Sequence, residues 1–246
     1  TNINTISPYR SGGCVCRIGT NTKPRPIGRG FVLSIENDLL DENDEQFVAT
    51  ITSASVAIEG GEARITIRDD DSPPSLSVQP TSASESDAVL IYRLTLDAAS
   101  GRDVTGRVNT SNGSALAGLD YTAQVNKLFT IPSGVTETTI YVPVNNESLY
   151  ESTETLNLTL SNVQNASVAI TSNVGSIIND DQPPTISIGD VESNEAGALN
   201  FTISLNAESG VNVTGMLSTT GFSAVSGTDF VPLNNKPFTI TAGSQT

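Results

Sequence analysis

The sequence predicts an all-β protein built from sandwich domains in tandem. From Phe31 onward, apolar and polar residues alternate in short segments, and no segment shows sustained helical spacing. A period of two buries one face of a strand and leaves the other face in water. Turn-forming Gly, Asn and Ser residues separate the segments at intervals of about 8–12 residues, which is typical of a sandwich.

The same pattern recurs along the chain with a period of about 110 residues. Pro73-Pro74 recurs at Pro183-Pro184, 110 residues later, and Asp120-Tyr121 recurs as Asp229-Phe230, 109 residues later. That period corresponds to a whole sandwich domain and is too long for one coil of a solenoid. The copies divide the chain into an irregular basic segment at 1–27, the C-terminal half of a domain at 28–71, a complete domain at 72–181 and the N-terminal half of a domain at 182–246.

The predicted strands follow from runs of alternating apolar residues. In chain order these residues are Phe47, Ala49 and Ile51; Leu90, Tyr92, Leu94 and Leu96; Ile140, Val142 and Val144; Leu156, Leu158 and Leu160; and Leu199, Phe201, Ile203 and Leu205. The last partial copy stops before the strands that would pair with it, which leaves unpaired sheet edges. We therefore expect it to be less stable than the complete copy unless it pairs with residues 28–71.

The charge of the chain excludes several classes of partner. The 246 residues carry a net charge of −15, which argues against nucleic acid or an anionic membrane surface. No apolar run approaches the roughly 18 residues of a membrane span. Cys14 and Cys16 are too close for an easy disulfide and lack the second pair of a zinc site.

Catalysis is not expected from this composition. The chain has no His and no paired thiol, so a general base would have to be a carboxylate or a lysine. Paired carboxylates can hydrolyse glycosides. Such enzymes need an aromatic-lined cleft, however, and the chain has five Tyr, seven Phe and no Trp. We predict that the protein is not an enzyme.

Packed acidic residues close each copy. Asp69-Asp70-Asp71 and Asn179-Asp180-Asp181 each follow a strand-like segment and precede a Pro-Pro pair. Adjacent carboxylates repel, so a folded chain keeps them in solvent or around a cation. Further acids lie in the predicted loops of the complete copy. Calcium takes about six to eight oxygen ligands, which suits Asp, Glu and Asn, whereas zinc prefers His and Cys. The alternative is an acidic rim that only keeps the protein soluble.

These motifs together resemble the Calx-beta repeat. They are the stretch V-x-V-N-N-E-S-L-Y-E-S-T-E-T-L from Val142 to Leu156, the turn at 118–121, Ile-Pro-Ser-Gly at 131–134 and the closing Asn-Asp-Asp at 179–181. The resemblance covers about residues 28–246. It implies an immunoglobulin-like sandwich of seven strands that binds Ca²⁺ in the loops at one tip.

The resemblance also implies a set of calcium ligands in each copy. In the complete copy they are Glu85, Asp120, Asn146, Glu147, the carbonyl of Leu149, Glu151, Glu154, Asn179, Asp180 and Asp181. The first copy retains Asn37, Asp38, the carbonyl of Leu40, Glu42, Glu45, Asp69, Asp70 and Asp71, and the last copy retains Glu195 and Asp229. The calcium-rich exchanger pattern has acids where Asn146, Ser148 and Asn179 stand here. We therefore expect fewer ions or a lower affinity.

Seven N-x-Ser/Thr sequons favour an extracellular protein. They begin at Asn109, Asn112, Asn146, Asn157, Asn165, Asn200 and Asn212. A glycan at Asn146 would crowd the predicted calcium tip, so glycosylation and full coordination compete at this residue.

Two functions remain open. The first is a calcium-binding module of a repetitive extracellular adhesion or matrix protein; the resemblance extends, more weakly, to the repeat-bearing cores of sponge aggregation-factor proteoglycans. In this case calcium would stiffen the inter-domain junctions, and the partners would be other repeats or surface glycans and proteins. The second is a cytosolic calcium sensor that regulates a membrane transporter of the sodium/calcium exchanger type.

Overall fold

A computed structural model describes residues 31–195 and 197–246. The predictions for residues 1–27, including those for Cys14 and Cys16, lie outside this range. Within it, every regular element is a β-strand except a 3₁₀ turn at Glu85–Asp87. The strands are β1 (Glu45–Thr50), β2 (Glu62–Ile67), β3 (Ser75–Val78), β4 (Thr81–Ser84), β5 (Val89–Leu96), β6 (Val104–Asn112), β7 (Lys127–Ile131), β8 (Glu137–Pro143), β9 (Glu154–Gln164), β10 (Ser167–Val168), β11 (Ser172–Ile178), β12 (Ile186–Ile188), β13 (Ile203–Leu205), β14 (Val213–Leu217) and β15 (Lys236–Ile240).

Strands β3 to β11 form a two-sheet sandwich. One sheet has the order β10-β3-β5-β8 and the other has the order β4-β11-β9-β6-β7. Neighbouring strands are antiparallel except in the pairs β10–β3 and β11–β4, which are parallel. The all-β, immunoglobulin-like prediction is confirmed. None of the described residues belongs to a helix long and apolar enough to cross a membrane.

The first strand segment of the sandwich is shared between the two sheets. β3 pairs with β5 in one sheet, and β4 pairs with β11 in the other. Gln79 and Pro80 lie between them, and the N–H of Gln79 still donates to the carbonyl of Arg93 at 3.0 Å. Pro80 has no N–H to continue that ladder, so the chain leaves the first sheet there.

The predicted alternation places the core of the complete copy correctly. Leu90, Tyr92 and Leu94 on β5 and Leu156 and Leu158 on β9 have no exposed surface. They pack with Ile140 and Val142 from β8, and with Val144 just beyond its end, in one cluster between the sheets. Burying each large aliphatic or aromatic side chain contributes about 1.5–3 kcal/mol to stability.

The partial copies keep their strand pairs but bury little. β1 pairs only with β2, β12 with β13, and β14 with β15. The alternation predicted a strand from Leu199 to Leu205, but the strand covers only Ile203–Leu205, and Leu199 and Phe201 are 47% and 39% exposed. The physical reason is a missing neighbour: in the complete copy this stretch of β5 pairs with β8, whereas among the described residues no strand pairs with residues 199–202. Within the described residues, no strand of the first partial copy pairs with a strand of the last one.

Consecutive copies contact each other through the same backbone hydrogen bond. The N–H of Gly101 donates to the carbonyl of Asp41 at 3.1 Å, and the N–H of Gly210 donates to the carbonyl of Tyr150 at 2.9 Å. The donor and the acceptor are both repeated 109 residues later. Each copy therefore meets the next one at an equivalent place.

Candidate metal centre

The acidic loops of the complete copy lie at one end of the sandwich. The register pairs the start of β5 with the end of β8, and the start of β9 with the ends of both β6 and β11. The loops that join these strand ends therefore all lie at the same tip of the sandwich. This tip carries the 3₁₀ turn at Glu85–Asp87, the turn around Asp120, the segment from Glu147 to Glu154 and the closing residues 179–181.

Three carboxylates form a first group in this tip. Oxygen atoms of Glu85, Glu147 and Asp181 lie within 4.8 Å of one another. Glu85 is only 4% exposed. Its Oε2 atom and the Oδ2 atom of Asp181 are buried without a hydrogen-bond partner. Buried charged oxygens without a partner carry a desolvation cost that a bound cation would offset.

A second group lies in the same tip. Oxygen atoms of Asp120, Glu151 and Glu154 also lie within 4.8 Å of one another, and all three residues are partly buried. A hydrogen bond fixes the loop that carries Asp120: its Oδ2 atom accepts from the N–H of Leu116 at 2.6 Å. Crowded acids of one sign in a partly dry site are the arrangement that hard cations bind.

Burial and crowding strongly raise the pKa of two carboxyl groups in the tip. Burial raises the pKa of Glu85 from 4.5 to about 7, with further contributions from the charge of Glu147 and a hydrogen bond to it. Burial also raises the pKa of Glu154 from 4.5 to about 7, together with a hydrogen bond to Asp120 and the charges of Asp120 and Glu151. Burial is the main reason that the pKa of Glu151 is raised. The folded tip therefore disfavours its own ionised state when no cation is bound.

Asp180 and Asn179 are engaged in hydrogen bonds within the protein. Oδ2 of Asp180 accepts hydrogen bonds from Oγ of Ser84 at 2.7 Å and from the N–H of Ser86 at 3.3 Å. These bonds, led by those from Ser86 and Ser84, lower the pKa of Asp180. Oδ1 of Asn179 accepts from the N–H of Glu151 at 3.0 Å, and its amide nitrogen donates to the carbonyl of Asp181. Six of the seven converging carboxylates predicted from the sequence thus lie in the two groups, and Asp180 instead joins the tip to the 3₁₀ turn.

The other two residues predicted in this tip lie at its edge. Asn146 is exposed, and Leu149 is partly buried. The N–H of Leu149 donates to Oε2 of Glu147 at 2.7 Å, which orients that carboxylate within the first group.

The acids of the partial copies are less closely assembled. In the first copy, Asn37, Asp38, Glu42, Glu45, Asp69, Asp70 and Asp71 line one cavity, which does not include Leu40. Burial and then the neighbouring acids raise the pKa of Glu42 and of Asp71. Among the described residues, however, no three acids of this copy bring oxygen atoms within 4.8 Å of one another. Glu195 and Asp229 of the last copy are exposed and belong to no such group.

The turn around Asp229 nevertheless repeats the turn around Asp120. Oδ2 of Asp229 accepts from the N–H of Val225 at 2.7 Å, as Oδ2 of Asp120 accepts from Leu116. Because this hydrogen bond lies within the turn, it forms without the rest of the tip.

Sequence reasoning missed the residues that support the acids. Ser84 and Ser86 hold Asp180, and their only sequence signal is that they flank Glu85. Asp41, which is 3% exposed, forms an ion pair with Arg102 in the next copy. A basic residue 61 positions away carries no sequence signal of such a contact.

Comparison with known proteins identifies one family. The Calx-beta domain family matches residues 30–71 and 69–182. Among solved structures, the apo form of the Calx CBD1 domain is 19% identical with a TM-score of 0.41, and the match covers 45% of this chain and 100% of that one. CBD12 from CALX1.2 is 16% identical with a TM-score of 0.41, over 70% of this chain and 73% of that one. No curated protein matches the chain significantly.

Proposed function

Because this chain belongs to the Calx-beta domain family, whose domains bind Ca²⁺, we propose that it is a calcium-binding module of a repetitive extracellular adhesion or matrix protein. Calcium bound in the tips stiffens the junctions between copies. The observation that carries this proposal is the pair of carboxylate groups in the tip of the complete copy, with buried oxygens of Glu85 and Asp181 that have no partner.

The two groups supply the oxygen ligands that calcium requires. Glu85, Glu147 and Asp181 would hold one ion, and Asp120, Glu151 and Glu154 would hold another. Each group offers up to six carboxylate oxygens, and water completes the coordination. The resemblance adds the carbonyl of Leu149, Asn179 and Asp180 as further ligands of this copy, and Asn146 where it carries no glycan. The protein is a binding module and not an enzyme.

The junction with the next copy lies beside these ligands. A methyl group placed on Gly210 would come within 2.5 Å of the Cγ atom of Glu151, so the two residues are in close contact. The carbonyl of Tyr150 accepts the hydrogen bond from Gly210. Calcium that fixes Glu151 therefore also fixes the surface on which the next copy rests.

Two substitutions that each replace a carboxylate by an uncharged amide test calcium binding. Asp181→Asn with Glu154→Gln removes one carboxylate from each group and keeps the side-chain sizes. We expect the wild-type chain to melt at a higher temperature in millimolar calcium than in chelator, because binding to the folded state alone adds about 2.7 kcal/mol at a hundredfold excess over the dissociation constant. The double variant should lose that difference.

The matched control changes two exposed acids outside the tip. Glu62→Gln with Glu137→Gln removes the same charge from β2 and β8, and it should keep the full calcium response. If wild-type protein melts at the same temperature in calcium and in chelator, the tip is only an acidic rim and the proposal is wrong.

The extracellular location is supported by the sequons. Asn146 and Asn200 are exposed, and neither side chain forms a hydrogen bond among the described residues. Treatment of the native protein with an N-glycosidase should lower its mass. An unchanged mass would instead favour a cytosolic sensor that regulates a transporter.

A further inference from the structure

The two junctions between copies share one docking contact. In each, a Ser-Gly pair of the following copy meets the tip of the preceding copy, and the serine is buried: Ser100 is 0% exposed and Ser209 is 1% exposed. Each glycine touches an acid of that tip, since a methyl group on Gly101 would overlap Glu42 and one on Gly210 would overlap Glu151. The backbone geometry of the two junctions is therefore equivalent.

The following copy contributes a charge of opposite sign to each junction: a basic residue to the first and an acidic residue to the second. In the first junction, Nε of Arg102 donates to Oδ2 of Asp41 at 3.1 Å, and its Nη2 atom donates to both carboxylate oxygens. The side chain of Asp41 is 4% exposed and that of Arg102 is 26% exposed, so solvent screens this pair little. In the second junction, Tyr150 and Val211 occupy the equivalent positions, and the described residues form no ion pair across it.

An additional acid of the following copy faces the second junction. Glu208 lines an open cavity of about 760 Å³ together with Asp120, Glu147 and Glu151 of the preceding copy, and no Lys or Arg lines it. The equivalent of Glu208 in the first junction is Ala99. Like charges across the second junction repel each other, whereas unlike charges attract across the first one.

We propose that the first junction is closed permanently by the Asp41–Arg102 ion pair, whereas the second is a joint that closes only while a cation neutralises its acidic cavity. The calcium dependence of the joint rests on the proposed function, but the contrast between the junctions without metal does not. In a string of such copies, a basic residue at the position of Arg102 would then give a fixed junction. An acidic residue at the position of Glu208 would give a cation-controlled one.

Distances between spin labels across each junction test the proposal in the full chain. Cys14 and Cys16 are replaced by Ser, and exposed residues receive the labels: Thr50 and Thr139 for the first junction, Ser172 and Thr239 for the second. In chelator, we expect a single narrow distance peak across the first junction and loss of the narrow peak across the second. Calcium should restore the narrow peak across the second junction and leave the first unchanged.

Two variants reverse the charges on which the contrast depends. Arg102→Gln should cost the first junction its narrow peak in chelator. Glu208→Arg places a cation in the second junction and should give it a narrow peak in chelator. Glu208 is exposed, so this variant leaves the fold intact. Equal peak widths for the two junctions in chelator, or an unchanged first junction in Arg102→Gln, would overturn the proposal.

Calorimetric titration of the same samples with calcium separates the two claims. An absence of calcium binding would refute the proposed function, and the contrast between the junctions in chelator would still decide the present inference. Calcium binding with a second junction that gives a narrow distance peak in chelator would leave calcium binding by this module standing and would refute the joint.

Discussion

Replacing one buried carboxylate of the tip should stabilise the calcium-free protein. Glu85 is 4% exposed and faces Glu147 and Asp181, and its pKa is raised from 4.5 to about 7. The folded state therefore binds the Glu85 proton more tightly than the unfolded state does. The free energy of unfolding then falls as the pH rises from 4.5 towards 7, because the proton is lost from a site that opposes the negative charge.

The size of the effect follows from the two pKa values. A rise from 4.5 to about 7 corresponds to a penalty of about 3 kcal/mol once the carboxylate is fully ionised in the folded state, near pH 8. Glu85→Gln removes this penalty and gives the neighbouring carboxylates an amide donor. We expect the variant to be more stable than wild type by about 3 kcal/mol near pH 8 and close to wild type at pH 4.5.

Urea unfolding in chelator at the two pH values measures this difference. Near-ultraviolet circular dichroism reports the fully buried Tyr92 and Tyr121. The control is Glu137→Gln, which removes an exposed carboxylate that pairs with Arg93 at 3.0 Å and should change stability by less than about 1 kcal/mol. In saturating calcium, wild type should be more stable than Glu85→Gln, since wild type keeps a calcium ligand that the variant lacks. Equal stability of the variant and wild type near pH 8 would refute the electrostatic account of the tip.

Three further outcomes follow from the same geometry. Calcium affinity should weaken as the pH falls below about 7, because the two strongly raised carboxyl groups must lose their protons on binding, and calorimetry in two buffers should show that release. Gly210→Ala displaces Glu151 and should weaken calcium binding about tenfold, whereas Gly189→Ala, with open space around it, should not; equal affinities would contradict the contact. Gly175→Ala forces a methyl group against the Tyr92 hydroxyl and should cost about 1–3 kcal/mol in urea unfolding, and an unchanged midpoint would contradict that packing.

The core of the complete copy could be predicted because its signal is local. Alternation at Leu90, Tyr92 and Leu94 needs no knowledge of the partner strands, and all three side chains are buried. The same alternation from Leu199 to Leu205 predicted a strand of which only Ile203–Leu205 forms. A pattern specifies which face is apolar, but the strand also needs a neighbouring strand, as β5 has in β8.

The candidate site could be predicted in composition but not in detail. The spacing of the acids indicates which residues lie at the tip, and six of them form two groups. Asp180 looks identical to Asp181 in the sequence, yet Ser84 and Ser86 hold it by hydrogen bonds. Such hydrogen bonds span more than 90 residues of chain, so no local pattern reveals them.

The parallel pairing of β4 with β11 determines how the complete copy responds to mechanical tension. β4 lies near the start of this copy and β11 near its end, and Gly175 to Ile178 pair with Thr81 to Ser84. A pull along a string of copies displaces these strands in opposite directions along their length, so their hydrogen bonds are loaded together in shear and do not open one at a time. The bond from Ser84 to Asp180 extends the same seam into the tip. The pairing would therefore let each complete copy transmit force before it unfolds.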